Sequence, residues 1–328
     1  MATSYPDRTN ARGIWTVEDI TKNLLTEGTF PDSGHTRGIF GGGYASPALI
    51  ATSEVVTIAT TGSATNFGDL NVDRRHLAGC GSFIRAFFAG GATPSMSNVV
   101  DYYTFTSAGT AADFGDLTNA RKASGASSNP TRGLVFGGTN PSNVNIIDYI
   151  TMANTGDATD FGDLTTVSNG PAGVSSPTRG IRLGGDPAGA GIDFVEIATT
   201  GDAVDFGDLS GGYSNSAGVD SSTRGVNIGG YVSPANVNTM EAITMASLGN
   251  AVNFGDATNA LDTPGGTSNR TRGIKGGGSP AVNVIDYITI ASAGDAIDFG
   301  DLGTARTELD AASDGHGGLD VYDPTTRV

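Results

Sequence analysis

One pattern returns six times along this 328-residue chain, and few folds can accommodate it. Its clearest copy runs from Thr131 to Leu164. There Arg132 is followed by the pair Gly137-Gly138, an acid (Asp148), a glycine (Gly156), Ala158 and the cluster Asp160-Phe161-Gly162-Asp163. The same order starts again from Arg37, Arg85, Arg179, Arg224 and Arg272. Counting back from Phe67, Phe114, Phe161, Phe206, Phe254 and Phe299, an acid stands thirteen places earlier every time: Glu54, Asp101, Asp148, Asp193, Glu241 and Asp286. A glycine stands five places before each Phe, and an Asp stands two places after it: Asp69, Asp116, Asp163, Asp208, Asp256 and Asp301.

The Phe-to-Phe spacings are 47, 47, 45, 48 and 45, in the range of propeller blades. Inside a copy the signals are those of short strands. Residues 285–290 (IDYITI) alternate in polarity as a half-buried strand does, and the glycine-centred tripeptides that follow suit a hairpin turn. Each Phe is the one large anchor of the following strand and is expected to wedge between neighbouring sheets. Its truncation to Ala is expected to cost about 3–5 kcal/mol. The distance from each Phe to the next Arg is constant at 18, and so is that from acid to Phe. Length varies only between the second glycine of the pair and the acid, where the steps are 11, 10, 10, 8, 11 and 8. In a four-stranded blade that segment joins the second strand to the third, so the variation falls on one face of a ring. Each such connection holds a proline (Pro47, Pro94, Pro141, Pro187, Pro234, Pro280), which favours ordered turns. Variable loops on a constant scaffold are where recognition is commonly placed; drift in a tolerant loop is the plainer alternative.

The two ends of the chain depart from the repeat. No seventh Phe cluster follows Phe299, and the first copy lacks its opening strand. Residues 303–316 are therefore expected to supply the first strand of blade one and close the ring, which removes an open sheet edge. The organisation predicted is an N-terminal extension over residues 1–30 and a six-bladed propeller over 31–328. Within the extension, Thr16 to Gly28 reads as a short helix with Thr16 as N-cap and Trp15 and Ile20 at hydrophobic-staple spacing. Val17, Ile20 and Leu24 form an apolar stripe that must dock, either on its own domain or, with Trp15, on a partner as an anchor.

Composition narrows the partners. Eighteen basic against 34 acidic residues give a net charge of −16, which argues against nucleic acid. No apolar run is long enough to cross a bilayer, and the N-terminus lacks the apolar core of a secretory signal. Cys80 is the single cysteine, so no internal disulfide is expected, and it reads as a small buried residue. His35, His76 and His316 have no second histidine at metal-ligand spacing. Neither a metal, another cofactor nor a catalytic residue is predicted. The six Arg and six Asp are read as structural, because a residue present in every blade is more suited to holding the blade than to catalysis. Each Asp is expected to accept bonds from turn amides or from an Arg of the adjacent unit; a calcium ring is the sharper alternative.

The order of an apolar strand with Gly-Gly, an acid-Tyr strand, a glycine turn and an aromatic followed by Leu is similar to the kelch motif of β-propellers. Phe stands here where kelch units usually carry Trp, and the kelch Arg-Ser-Gly-His segment survives only as Asp32-Ser33-Gly34-His35. The repeated Arg-Gly…Gly-Gly with Asp-Phe-Gly-Asp-Leu resembles kelch-like repeats in virion proteins of tailed bacteriophages, marine ones in particular. The stretch from Gly13-Ile14-Trp15-Thr16 to Gly28-Thr29-Phe30-Pro31 is similar to a Gly-x-Trp…Gly-x-Trp-Pro element of phage fibre-type proteins, with Phe30 in place of the second Trp. The resemblance implies a virion structural protein of tail, fibre or surface appendage. It would contact other virion proteins through its N-terminal segment, assemble as an oligomer in the particle and meet a host glycan or protein through its loops. A cellular kelch-like scaffold or carbohydrate-binding module is the alternative.

Overall fold

The computed structural model describes residues 36–319 apart from residue 188. The helix expected over 16–28, with Trp15, Ile20 and Leu24, lies outside the described residues. What is described is an all-β, six-bladed propeller, each blade a four-stranded antiparallel sheet. Blade three shows the plan: Gly125–Ser128, Arg132–Phe136, Ile146–Thr151 and Thr159–Asp163 lie side by side in chain order. The first strands of the six blades touch one another around a central channel. In blade one that first strand comes from the far end of the chain: Asp310–Ser313 pairs antiparallel with Arg37–Gly41, Gly38 opposite Ser313.

Alternation sets which face each strand buries. In Ile146–Thr151, Ile147, Asp148 and Ile150 are buried while Tyr149 is half-buried and Thr151 exposed. The core is six clusters, each shared by two neighbouring blades and each containing one of the repeated Phe. Phe161, for example, packs with Leu134 and Phe136 of its own blade and with Val195 and Ile197 of the next.

A bulge explains why that Phe is available. Ile147 faces Gly162 and Asp148 faces Asp160, which leaves Phe161 as the extra residue on its strand, and the same register shift precedes the acid in every blade. The shift turns the ring inward and leaves the Phe161 carbonyl without a ladder partner. The next blade completes it: Gly201 N–H donates to Phe161 O at 2.8 Å, and the equivalent bond recurs at all six junctions, Gly62 N–H to Phe299 O among them. The approach is close enough that a Cβ on Gly162 (φ 146°) would lie 2.4 Å from Gly201 O.

The repeated Arg and Asp hold blades in different ways. Arg132 lies over the Tyr149 ring, 4.7 Å from its centroid, and donates to Ile197 O of the next blade at 2.8 Å. Arg85, Arg179, Arg224 and Arg272 likewise reach carbonyls of Met152, Met245, Ile290 and Ala59, and Arg37 reaches Phe105. The Asp carboxylates were expected to accept turn amides or an Arg, and they do not. Asp69, Asp163, Asp208, Asp256 and Asp301 are exposed and Asp116 half-exposed, and no bond or ion pair among the described residues engages their side chains. Their peptide groups make the contacts: Asp163 N–H donates to the Asp202 carboxylate at 3.0 Å and Asp163 O accepts from Ala203 at 2.7 Å. Edge-strand position is the reason, since it turns those side chains to solvent.

Candidate functional site: the channel mouth

The acids thirteen places before each Phe are the buried charges of this protein. The bulge aims each at the linker that enters its blade. Asp101 meets Arg74 at 2.6 Å, Asp148 meets Arg121 at 2.9 Å and Glu54 meets Arg306 at 2.6 Å, with all three guanidinium groups buried. These arginines lie seven residues after Phe67, Phe114 and Phe299. Burial pulls their pKa values down and the facing carboxylates push them back up. Blades four and six lack that linker arginine, having Ser168 and Leu261 instead, and take the cation from their second strand: Arg182 on Asp193, and Lys275 on Asp286 at 3.1 Å. A hydroxyl or amide four residues past the Phe completes most of these sites, as Thr118 does by donating to Asp148 at 2.7 Å.

Two residues beyond the linker arginine position the chain turns into the channel. His76, Ala123, Gly170, Asn215, Thr263 and Glu308 occupy this place in turn, and all six have positive φ between 53° and 63°. Each donates its N–H to the carbonyl of the one before: Ala123 to His76 at 2.9 Å, Gly170 to Ala123 at 2.8 Å, and so on round to His76, which donates to Glu308 at 2.8 Å. The result is a closed ring of six peptide hydrogen bonds at one end of the channel. The second-to-third-strand connections lie beside it, because each pairs with the adjoining linker residue, as Thr139 does with Lys122 and Tyr231 with Ser214. The variable connections and the ring therefore share one face.

The ring is uniform in backbone and varied in side chain. Glu308 accepts from Arg75 at 2.9 Å and lies 3.4 Å from His76 Nε2. Burial raises the Glu308 pKa, but His76 and Arg75 outweigh it and hold it below the ordinary carboxylate value. Arg75 also lies over the Tyr44 ring at 5.8 Å. Beneath the ring is a cavity of about 80 Å³. Asp310 lines it at a position where the other blades carry only Ala or Gly (Ala78, Gly125, Ala172, Ala217, Gly265). Burial pushes Asp310 up to about 7, against the pull of peptide N–H groups from Gly79, Ala311 and Gly266.

The other end of the channel narrows to a smaller cavity of about 40 Å³. Ser128, Ser175, Asp220, Ser268 and Ser313 stand at one level, and the turn Gly317–Leu319 is buried against them. Gly317 N–H donates to Asp220 at 2.7 Å, and His316 Nε2 lies 3.0 Å from both Ser128 Oγ and Gly81 O. Cys80 is buried nearby with its pKa raised to about 12 by desolvation, so its thiol stays protonated. Among the described residues no three His, Cys, Asp or Glu side chains converge as metal ligands, and the repeated Asp make no calcium ring. No family model matches the chain, and no curated protein matches it.

Sequence reasoning placed the repeated Arg, Phe and Asp and the variable connections, but missed the buried cations and the mouth. The recurrence of Arg74, Arg121 and Arg306 seven places after a Phe was the available signal for the first. The mouth offers six different residue types and so no pattern to find.

Proposed function

We propose that this protein is a kelch-like propeller of a bacteriophage particle, a structural and recognition module whose mouth face meets a host surface glycan or protein. The supporting observation is the division of labour between residues. Those repeated in every blade hold blades together, the Arg and Phe by side chain and the Asp by peptide group, while the variable connections and the non-repeated side chains His76, Asn215, Thr263 and Glu308 gather around one opening. A rigid ring displaying varied loops is suited to binding rather than catalysis. The particle setting rests on the resemblance of the repeat and of the Trp15 element, with the N-terminal segment as the contact to other virion proteins. In this reading the strand Asp310–Ser313 closes the ring by supplying the first strand of blade one.

Labelled full-length protein mixed with candidate host cells tests the recognition role. Saturable binding that blocks phage adsorption, and that is lost when the connections around Pro47, Pro94 and Pro234 are exchanged for the short one around Pro280, supports it. Binding that survives the exchange overturns the assignment of the face. Mass spectrometry of purified particles tests the setting: absence of the protein there, with cell binding intact, moves it to a cellular scaffold.

A further inference from the structure

We infer that the channel cavity under the mouth is a binding site for a primary ammonium group, with the Asp310 carboxylate as its counter-ion. The first support is how this protein treats its other enclosed carboxylates. Five of them, Glu54, Asp101, Asp148, Asp193 and Asp286, each face a guanidinium or ammonium of the same chain, and two that lack one, Glu241 and Asp220, accept serine hydroxyls instead. Asp310 has neither a cation nor a hydroxyl donor among the described residues. Its oxygens accept peptide N–H groups of Gly79 at 2.7 Å and Ala311 at 2.8 Å, and no ion pair reaches it among the described residues. Glu308 and His76, the titratable groups nearest above it in the cavity wall, are engaged with each other and with Arg75. A carboxylate enclosed without a cation is costly in its charged form, and a ligand that brings a positive charge removes that cost.

The second support is shape. The cavity of about 80 Å³ has room for several waters or for an ammonium head with its first methylenes. Ala123 and Gly170 carry the smallest side chains of the mouth ring and leave one side of the entrance low. Below, the first strands pack so closely that a Cβ on Gly79 would lie 2.4 Å from Ala311 O, and the channel narrows to a cavity of about 40 Å³. Third, the position is singular. Ala or Gly stands there in the five other blades, so the fold does not need an acid at that place.

A primary ammonium could arrive on an amino sugar or on a lysine side chain. Both are tested on the full-length chain at neutral pH, by NMR chemical-shift perturbation or calorimetry, with glucosamine, Nα-acetyl-lysine amide and, as the uncharged control, N-acetylglucosamine. Saturable binding of at least one amine, absent with the control and weakened at least about tenfold in Asp310→Asn, is the expected result; the arm that binds identifies the source. Asp310→Ala, which copies blades two, four and five, gives the same readout should the Asn variant misfold. Failure of both amines to bind, or amine binding unchanged in these variants, overturns the proposal. The inference goes beyond the particle reading and fails separately from it, since a chain absent from virions can still bind amines and a virion protein can fail to.

Discussion

In blade three the Asp148 carboxylate faces the Arg121 guanidinium at 2.9 Å, whereas in blade five the matching Glu241 faces neutral donors only. Ser210 donates to it through both N–H and hydroxyl, and the Tyr213 hydroxyl lies against the same pair. Asn227 occupies the place where blades four and six carry Arg182 and Lys275. Two positions can thus deliver the cation to one point, the linker residue or the second-strand residue; five blades use one or the other and blade five uses neither. Where the linker has Arg, the strand position is apolar (Phe40, Phe88, Val135); where it does not, that position is polar (Arg182, Asn227, Lys275). What the fold holds constant is a satisfied carboxylate next to the bulge. Charge is one means of satisfying it, and hydroxyl and amide donors are another.

The largest effect should come from stranding a cation. Asp148→Ala leaves Arg121 buried and unpaired, and should lower stability by about 3–5 kcal/mol in a urea titration, with most of it restored in the Arg121→Met/Asp148→Leu double variant. Equal losses for Asp148→Ala and Glu241→Ala would break the comparison. Next is Asp310, also a carboxylate without a cation. Its folded pKa of about 7 lies above that of an ordinary carboxyl, so the folded state keeps a proton the unfolded chain releases. Its contribution should therefore cost stability progressively from about pH 4 to 7 and stay constant above, at most about 4 kcal/mol in all. Melting curves of Asp310→Asn should lack that slope.

Smaller again, Arg132→Met should cost about 1–2 kcal/mol through its carbonyl bond and its stacking on Tyr149. Arg224→Met in blade five should cost somewhat less, because Ala242 replaces the stacking ring and Arg224 keeps its carbonyl bond but lies 6.0 Å from the Phe254 centroid. Glu241→Gln should cost about 1 kcal/mol, since it strands no cation. The smallest change expected is a gain: Asn227→Lys gives Glu241 the partner that blade six already has, for up to about 1 kcal/mol of added stability. That gain should vanish in a Glu241→Gln background, which a double-variant cycle reads directly.

The propeller was legible because its blade plan repeats in residue identity: the Phe at each bulge, the Gly that completes its carbonyl and the Arg that reaches a carbonyl of the next blade are the same types six times. The carboxylate partners were not, since the cation alternates between two positions and no single column of the repeat contains it. Asp69 and its equivalents misled for the opposite reason. They repeat as side chains, but what the fold uses there is the peptide unit. The mouth was invisible because its constraint is a left-handed backbone, which His76, Ala123, Asn215 and Glu308 all adopt under the pull of the ring of peptide bonds.

That ring works as a hoop. All six links point in the same rotational sense, so their dipoles run head to tail around a circle and cancel along the channel axis, leaving its electrostatics to Asp310 and Glu308. A hoop also has no terminal member. A linear stack of repeats can fray from an outermost unit while the rest holds, but here every blade has two neighbours, and loosening any one of them breaks a circuit to which all six contribute.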